Sequence, residues 1–115
     1  MLSVYVNDRK IVDEVGKADH FFSRFLGLMF KKKMNDNQGL LIIPCNQIHT
    51  FNMRFDIDVL FISKENKIVH IEHSMKPGRA TKMIKGSHSV LELCSGISEK
   101  NGVKIGDMLT FETNQ

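Results

Sequence analysis

Apolar and polar residues alternate in short bursts along most of the chain, and one stretch departs from this into helical spacing. Leu2–Val6 and residues 10–15 carry β-type side chains on either side of Asn7-Asp8-Arg9, three residues suited to a tight turn. A hairpin is predicted there. From Asp19 the pattern changes: Phe21, Phe22, Phe25, Leu26 and Met29 recur at helical spacing. Asp19 can cap the free amides of a first turn, so a helix is predicted over residues 20–28. Arg24 falls at the edge of its apolar face, where the stem can pack while the guanidinium reaches inward.

Further along, Leu40-Leu41-Ile42-Ile43 is a continuous apolar run ended by Pro44, the pattern of a central strand covered on both faces. Ile57–Ile62 and residues 67–73 flank the turn Ser63-Lys64-Glu65-Asn66 and predict a second hairpin. Residues 90–94 predict another strand and residues 95–102 one helical turn closed by a glycine. Gly106-Asp107 then turns the chain into a last strand over residues 108–112. The expected fold is mainly β (α+β). A small antiparallel sheet, barrel-like or sandwich-like, carries one short helix in the N-terminal half and a helical turn near the C-terminus.

A chain of 115 residues is the size of one domain, expected here to span residues 1–115. It can bury about two-thirds of its unfolded surface, so its core requires no metal or disulfide staple and no cofactor is expected. Hydrophobic residues make up 42% and charged residues 25%, which excludes disorder as the main state. Sixteen Lys and Arg against 13 Asp and Glu leave a net charge of +3. The dense run Lys31, Lys32, Lys33 reads as a solvated loop. Nucleic acid is not an expected partner, because basic residues interleaved with stacking aromatics are missing from the linear sequence. The N-terminal residues do not look like an export signal, so a cytoplasmic address is expected, with Cys45 and Cys94 as reduced thiols. No apolar run nears the roughly 20 residues of a membrane span.

Chemistry concentrates in residues 49–62, where polar groups interrupt core material. Asp58 is the sharpest anomaly, since on a strand it shares a face with Leu60 and Ile62. A carboxylate in an apolar layer must be paired or hydrogen-bonded, and Arg24, Arg54 and His49 are the candidate partners. One reading makes Asp58 a structural tie. The other brings Arg24, His49, Thr50, Asn52, Arg54 and Asp58 together as a polar cluster that recognises a small anionic ligand or a protein partner. On that reading the protein is a non-enzymatic binding or accessory domain. The alternative is a small hydrolase or lyase with His49 as base, oriented by Asp58, although no nucleophile signature accompanies them. A third is weak RNA binding through Lys31, Lys32, Lys33, Arg79, Lys82 and Lys85. No metal site is expected: His70 and His73 fall on opposite faces of a strand, and His20 and His88 are isolated.

The motifs together resemble a known family. Arg24-Phe25-Leu26-Gly27-Leu28-Met29, Gly39-Leu40-Leu41, and His49-Thr50-Phe51-Asn52-Met53-Arg54-Phe55 leading into Ile57-Asp58-Val59-Leu60-Phe61 come first. Val90-Leu91-Glu92-Leu93 with Gly96, and then Gly106-Asp107, complete a series similar to the domain-of-unknown-function family number 192, over about residues 10–112. The resemblance implies a compact, mainly β, barrel-like fold with a short helix near its start, and it implies no reaction. Two positions depart from the family pattern: Asp56 and Cys94 stand where proline is usual.

Overall fold

The computed structural model describes residues 1–18, 34–51 and 53–114. The helix expected over residues 20–28, with Arg24, and the basic run from Lys31 to Lys33 lie outside the described residues, as does Asn52.

Strands β1 (Leu2–Val6) and β2 (Arg9–Ala18) form the first hairpin. Its turn residues Asn7 and Asp8 both have positive φ, 48° and 70°, the conformation a two-residue hairpin turn needs and one that Asn and Asp tolerate. Strand β2 runs past the expected end at Val15, because Gly16, Lys17 and Ala18 pair with Leu40, Leu41 and Ile42 of β3 (Gln38–Ile42). Gly16 and Lys17 are weak strand formers, so periodicity stopped short where a neighbouring strand carries the pairing on.

Strands β4 (Ile57–Ile62), β5 (Ile68–Met75), β6 (Ser89–Cys94) and β7 (Leu109–Thr113) complete a seven-stranded sheet in the order β5-β4-β6-β3-β2-β1-β7. Strand β3 is central, as the run of apolar residues before Pro44 indicated. The sheet curls into a half-barrel whose edges meet at one end. There Lys67 bridges Met108, and the Ile68 amide donates to Asp107 O at 2.9 Å. All pairings are antiparallel except β2 with β3, which are parallel and correct the all-antiparallel expectation. Residues 19–37 separate the two strands, enough chain for the crossover that a parallel pair requires and a hairpin does not.

Two apolar layers lie on opposite faces of this sheet. The inner layer draws Val4, Val15, Leu41, Leu60, Leu91, Leu93 and Leu109 from across the half-barrel, with Ile97 of the one-turn helix α1 (Ile97–Lys100). The second layer, made by Ile42, Ile57, Val59, Phe61 and Val90, is covered by Ile48 and Ile84 from the loops. Every residue of β4 is buried, so its two alternating sets feed both layers. Gly39 lets β3 enter between its neighbours: a Cβ there would stand 2.9 Å from the carbonyl oxygen of Glu92.

Candidate functional site

Asp58 is fully buried on the Leu60 face, as its register predicted, and among the described residues its partners are neither Arg54 nor His49. Oδ1 accepts the Ser74 amide at 2.8 Å. Oδ2 accepts the amides of Gly96 at 3.1 Å and Ser98 at 3.0 Å, and the Ser98 hydroxyl at 2.6 Å. Helix α1 starts at Gly96, which has no side chain to cap the first free amides, and the carboxylate of β4 does so from across the sheet. Ser74 adopts φ 47°, which turns its amide out of the β5 ladder toward Asp58. His73 extends the network at the surface, with Nδ1 3.1 Å from Ser98 Oγ. Ser74, Gly96 and Ser98 were missed by sequence reasoning. The signal for two of them was a helical turn whose N-terminus carries glycine instead of a capping side chain.

The remaining candidates lie elsewhere. His49, Thr50 and Arg54 belong to the loop after β3, which pairs with residues 79–84 through Thr50 N to Arg79 O, Thr81 N to Ile48 O and Ile84 N to Asn46 O, each 2.8 Å. Thr50 is buried and clasps the two segments: its hydroxyl donates to Lys76 O at 2.6 Å and accepts the Arg79 amide at 2.9 Å. That is a structural role. Arg54 is exposed, and the nearby Asp56 instead meets Lys76 at 3.1 Å. His49 is half-buried, bridged to Ala80 and stacked on Phe51 with ring centroids 4.6 Å apart. Burial lowers its pKa by disfavouring the imidazolium, which leaves a neutral ring at physiological pH.

His49 and Phe51 line a cleft of about 650 Å³, walled by residues 44–48, Ala80, Ser87 and His88. It lies against the second layer, through Ile48, whereas Asp58 points into the inner one, so the sheet separates them. Among the described residues the expected cluster therefore divides: Asp58 lies in a buried amide nest and His49 in an open cleft. A further carboxylate, Glu92, is buried in β6 between Leu40 and Val59. It is the same kind of anomaly as Asp58, a charge among alternating apolar residues, and sequence reasoning passed over it.

Elsewhere the titratable groups read as structural. Asp107 is buried; desolvation opposes its ionisation, yet the Lys104 amide, the Asn7 side chain and the Lys104 ammonium together hold its pKa below the usual carboxylate value. His70 pairs with Glu72 at 2.6 Å. Among the described residues no three His, Cys, Asp or Glu converge as metal ligands, and no helix is long and apolar enough to cross a membrane.

Residues 3–111 match the DUF192 family, described as Uncharacterized ACR, COG1430. The UPF0127 protein of Pyrococcus furiosus is 32% identical over 96% of this chain and 97% of its own length. That of Pyrococcus horikoshii is 31% identical over 87% and 89%. A crystal structure of a protein of unknown function from Novosphingobium aromaticivorans superposes with a TM-score of 0.82, covering 95% of this chain and 82% of that one at 19% identity. A proposed transcription regulator from Sinorhizobium meliloti 1021 gives 0.78, covering 96% and 91% at 24% identity. At these identities the two structures speak to the fold alone.

Proposed function

Since the chain belongs to the DUF192 family, whose description assigns no activity, we propose a reading from the site itself: a small non-enzymatic binding domain whose cleft beside His49 recognises a small anionic ligand. The observation that carries it is the charge of the two chain segments that supply the lining of the cleft. Residues 44–55 and 76–88 hold Arg54, Lys76, Arg79, Lys82 and Lys85 and contain no Asp or Glu, in a chain with a net charge of only +3. Of the five, Lys76 meets Asp56; among the described residues the other four have no carboxylate at ion-pair distance. An excess of cations on the segments that form a concave, partly apolar cleft raises the local concentration of anions, which favours a small anionic ligand.

The hydrolase or lyase alternative draws no support from the hydrogen bonds. Asp58 spends its acceptors on Ser74, Gly96 and Ser98 and does not orient His49. The test is an NMR titration of ¹⁵N-labelled protein with a panel of small phosphates, carboxylates and nucleotides. Saturable shifts are expected at the amides of Gln47, His49, Ala80 and His88, and they should weaken in Arg79→Ala and Lys82→Ala. If no anion in the panel shifts those amides saturably, the reading is wrong.

A further inference from the structure

Residues 73–91 contain no Asp or Glu, although a carboxylate stands at each end of the stretch, Glu72 and Glu92. Lys76, Arg79, Lys82 and Lys85 fall inside it, and all four are exposed. Lys76 meets Asp56 at 3.1 Å. Among the described residues Arg79, Lys82 and Lys85 have no carboxylate at ion-pair distance, so their charge acts on whatever approaches the surface. None of the three lines the cleft.

The backbone that carries them is fixed. Thr81 N donates to Ile48 O and Ile84 N to Asn46 O, each at 2.8 Å, and the Ile84 side chain is buried in the second layer. Ser87 N closes a turn on Ile84 O at 3.2 Å, with Lys85 at its first corner and Gly86, φ 88°, at its second. Met83 lies between these anchors and is 66% exposed, among the described residues the most exposed large apolar side chain after Met1. Its neighbour Ile84 is 8% exposed, so the segment turns one apolar side chain into the core and the one before it out to water. A lone exposed apolar side chain is ordinary; its surroundings set Met83 apart. Lys82 is adjacent and Lys85 two residues on, so their Cα atoms stand within about 7 Å of that of Met83. Both lysines are thus inside a Debye length of the methionine, roughly 8 Å at physiological salt.

We infer that residues 79–85 form a docking surface for an anionic lipid bilayer, with Met83 entering the headgroup boundary and Arg79, Lys82 and Lys85 meeting the lipid charge. An apolar side chain flanked by cations fits that boundary, where apolar atoms leave water while ammonium and guanidinium groups stay hydrated beside the phosphates. An acidic protein partner would instead call for a wider apolar centre than one methionine. The attachment is peripheral, and it goes beyond the preceding reading, which concerns a small ligand among the residues of the cleft.

The chain has no tryptophan, so Met83→Trp installs a single fluorescent reporter at the tip. Its emission is followed on vesicles of phosphatidylcholine alone and of phosphatidylcholine with one-third phosphatidylglycerol. A blue shift is expected on the anionic vesicles only, reversed by added salt, whereas Ile105→Trp, a reporter on another exposed turn, should not shift. Co-sedimentation of the unsubstituted chain should show the same preference. Lys82→Glu and Lys85→Glu should each lower that binding by about tenfold or more, since one cation contributes about fivefold and the reversal adds a repulsion. Lys100→Glu makes the same change of net charge on helix α1, which packs on the inner layer, and should leave binding nearly unchanged. Equal losses in all three charge variants overturn the surface in favour of attraction to net charge. An emission that does not shift when the Met83→Trp chain is bound overturns the insertion of the tip. Binding to neither vesicle overturns the proposal and leaves the anion reading to its own titration. An oligouridylate that binds the chain where anionic vesicles do not overturns the lipid surface in favour of nucleic acid.

Discussion

Replacing Asp58 by asparagine tests the core of the structural reasoning, because the two side chains have the same shape and differ in charge and in one acceptor. The carboxylate takes four hydrogen bonds in a fully buried position, one on Oδ1 and three on Oδ2. Asparagine has one oxygen. Its better orientation keeps that oxygen on the Gly96 and Ser98 side and turns the NH₂ toward the Ser74 amide, placing donor against donor. One part-buried amide left unsatisfied costs about 1 kcal/mol, and the three surviving bonds lose their charge assistance, together about 2–3 kcal/mol. Against a typical stability of about 5–15 kcal/mol this is a large loss. Urea unfolding followed by circular dichroism suits a chain without tryptophan, and the midpoint should fall by about 1–2 M with an unchanged slope. Ser98→Ala, which removes one donor, should cost about 1 kcal/mol, and the double variant should cost less than the two single losses added, because both act on one network. A loss below about 1 kcal/mol for Asp58→Asn would refute the account, since the nest could not then be holding a buried charge.

The other predictions concern the loops, the sheet and acid stability. Thr50→Val keeps the volume but removes the hydroxyl between Lys76 O and the Arg79 amide, so stability should fall by about 1–3 kcal/mol, and hydrogen exchange at Arg79 and Gly78 should accelerate. Gly39→Ala places a methyl group 2.9 Å from Glu92 O and 3.0 Å from Leu93 Cδ2, and should cost about 1–3 kcal/mol in denaturant unfolding as β3 is pushed from β6. Asp107 has a folded pKa below its unfolded value. Its stabilising contribution is therefore complete above about pH 5 and is lost as pH falls through the folded pKa. Asp107→Asn should accordingly be less stable at neutral pH, with the gap to the parent protein closing below about pH 4 in unfolding curves measured across pH.

Alternation and turn chemistry in the sequence determined which segments become strands, that β3 is central, and that Asp58 faces the same layer as Leu60. These are local properties: a strand's period of two assigns each side chain to a face, and Asn7-Asp8 accept the positive φ of their turn whatever surrounds them. Only the tertiary structure decided which groups meet on those faces. Asp58 is satisfied by Ser74, 16 residues away, and by Ser98, 40 residues away, through backbone amides that no side-chain pattern displays. Likewise Gly16 and Lys17 become strand because β3 lies beside them, and His49 meets Ala80 because Thr50 clasps the two loops together. Periodicity specifies the face a residue occupies, whereas its partners across that face depend on the order and register in which distant strands pair.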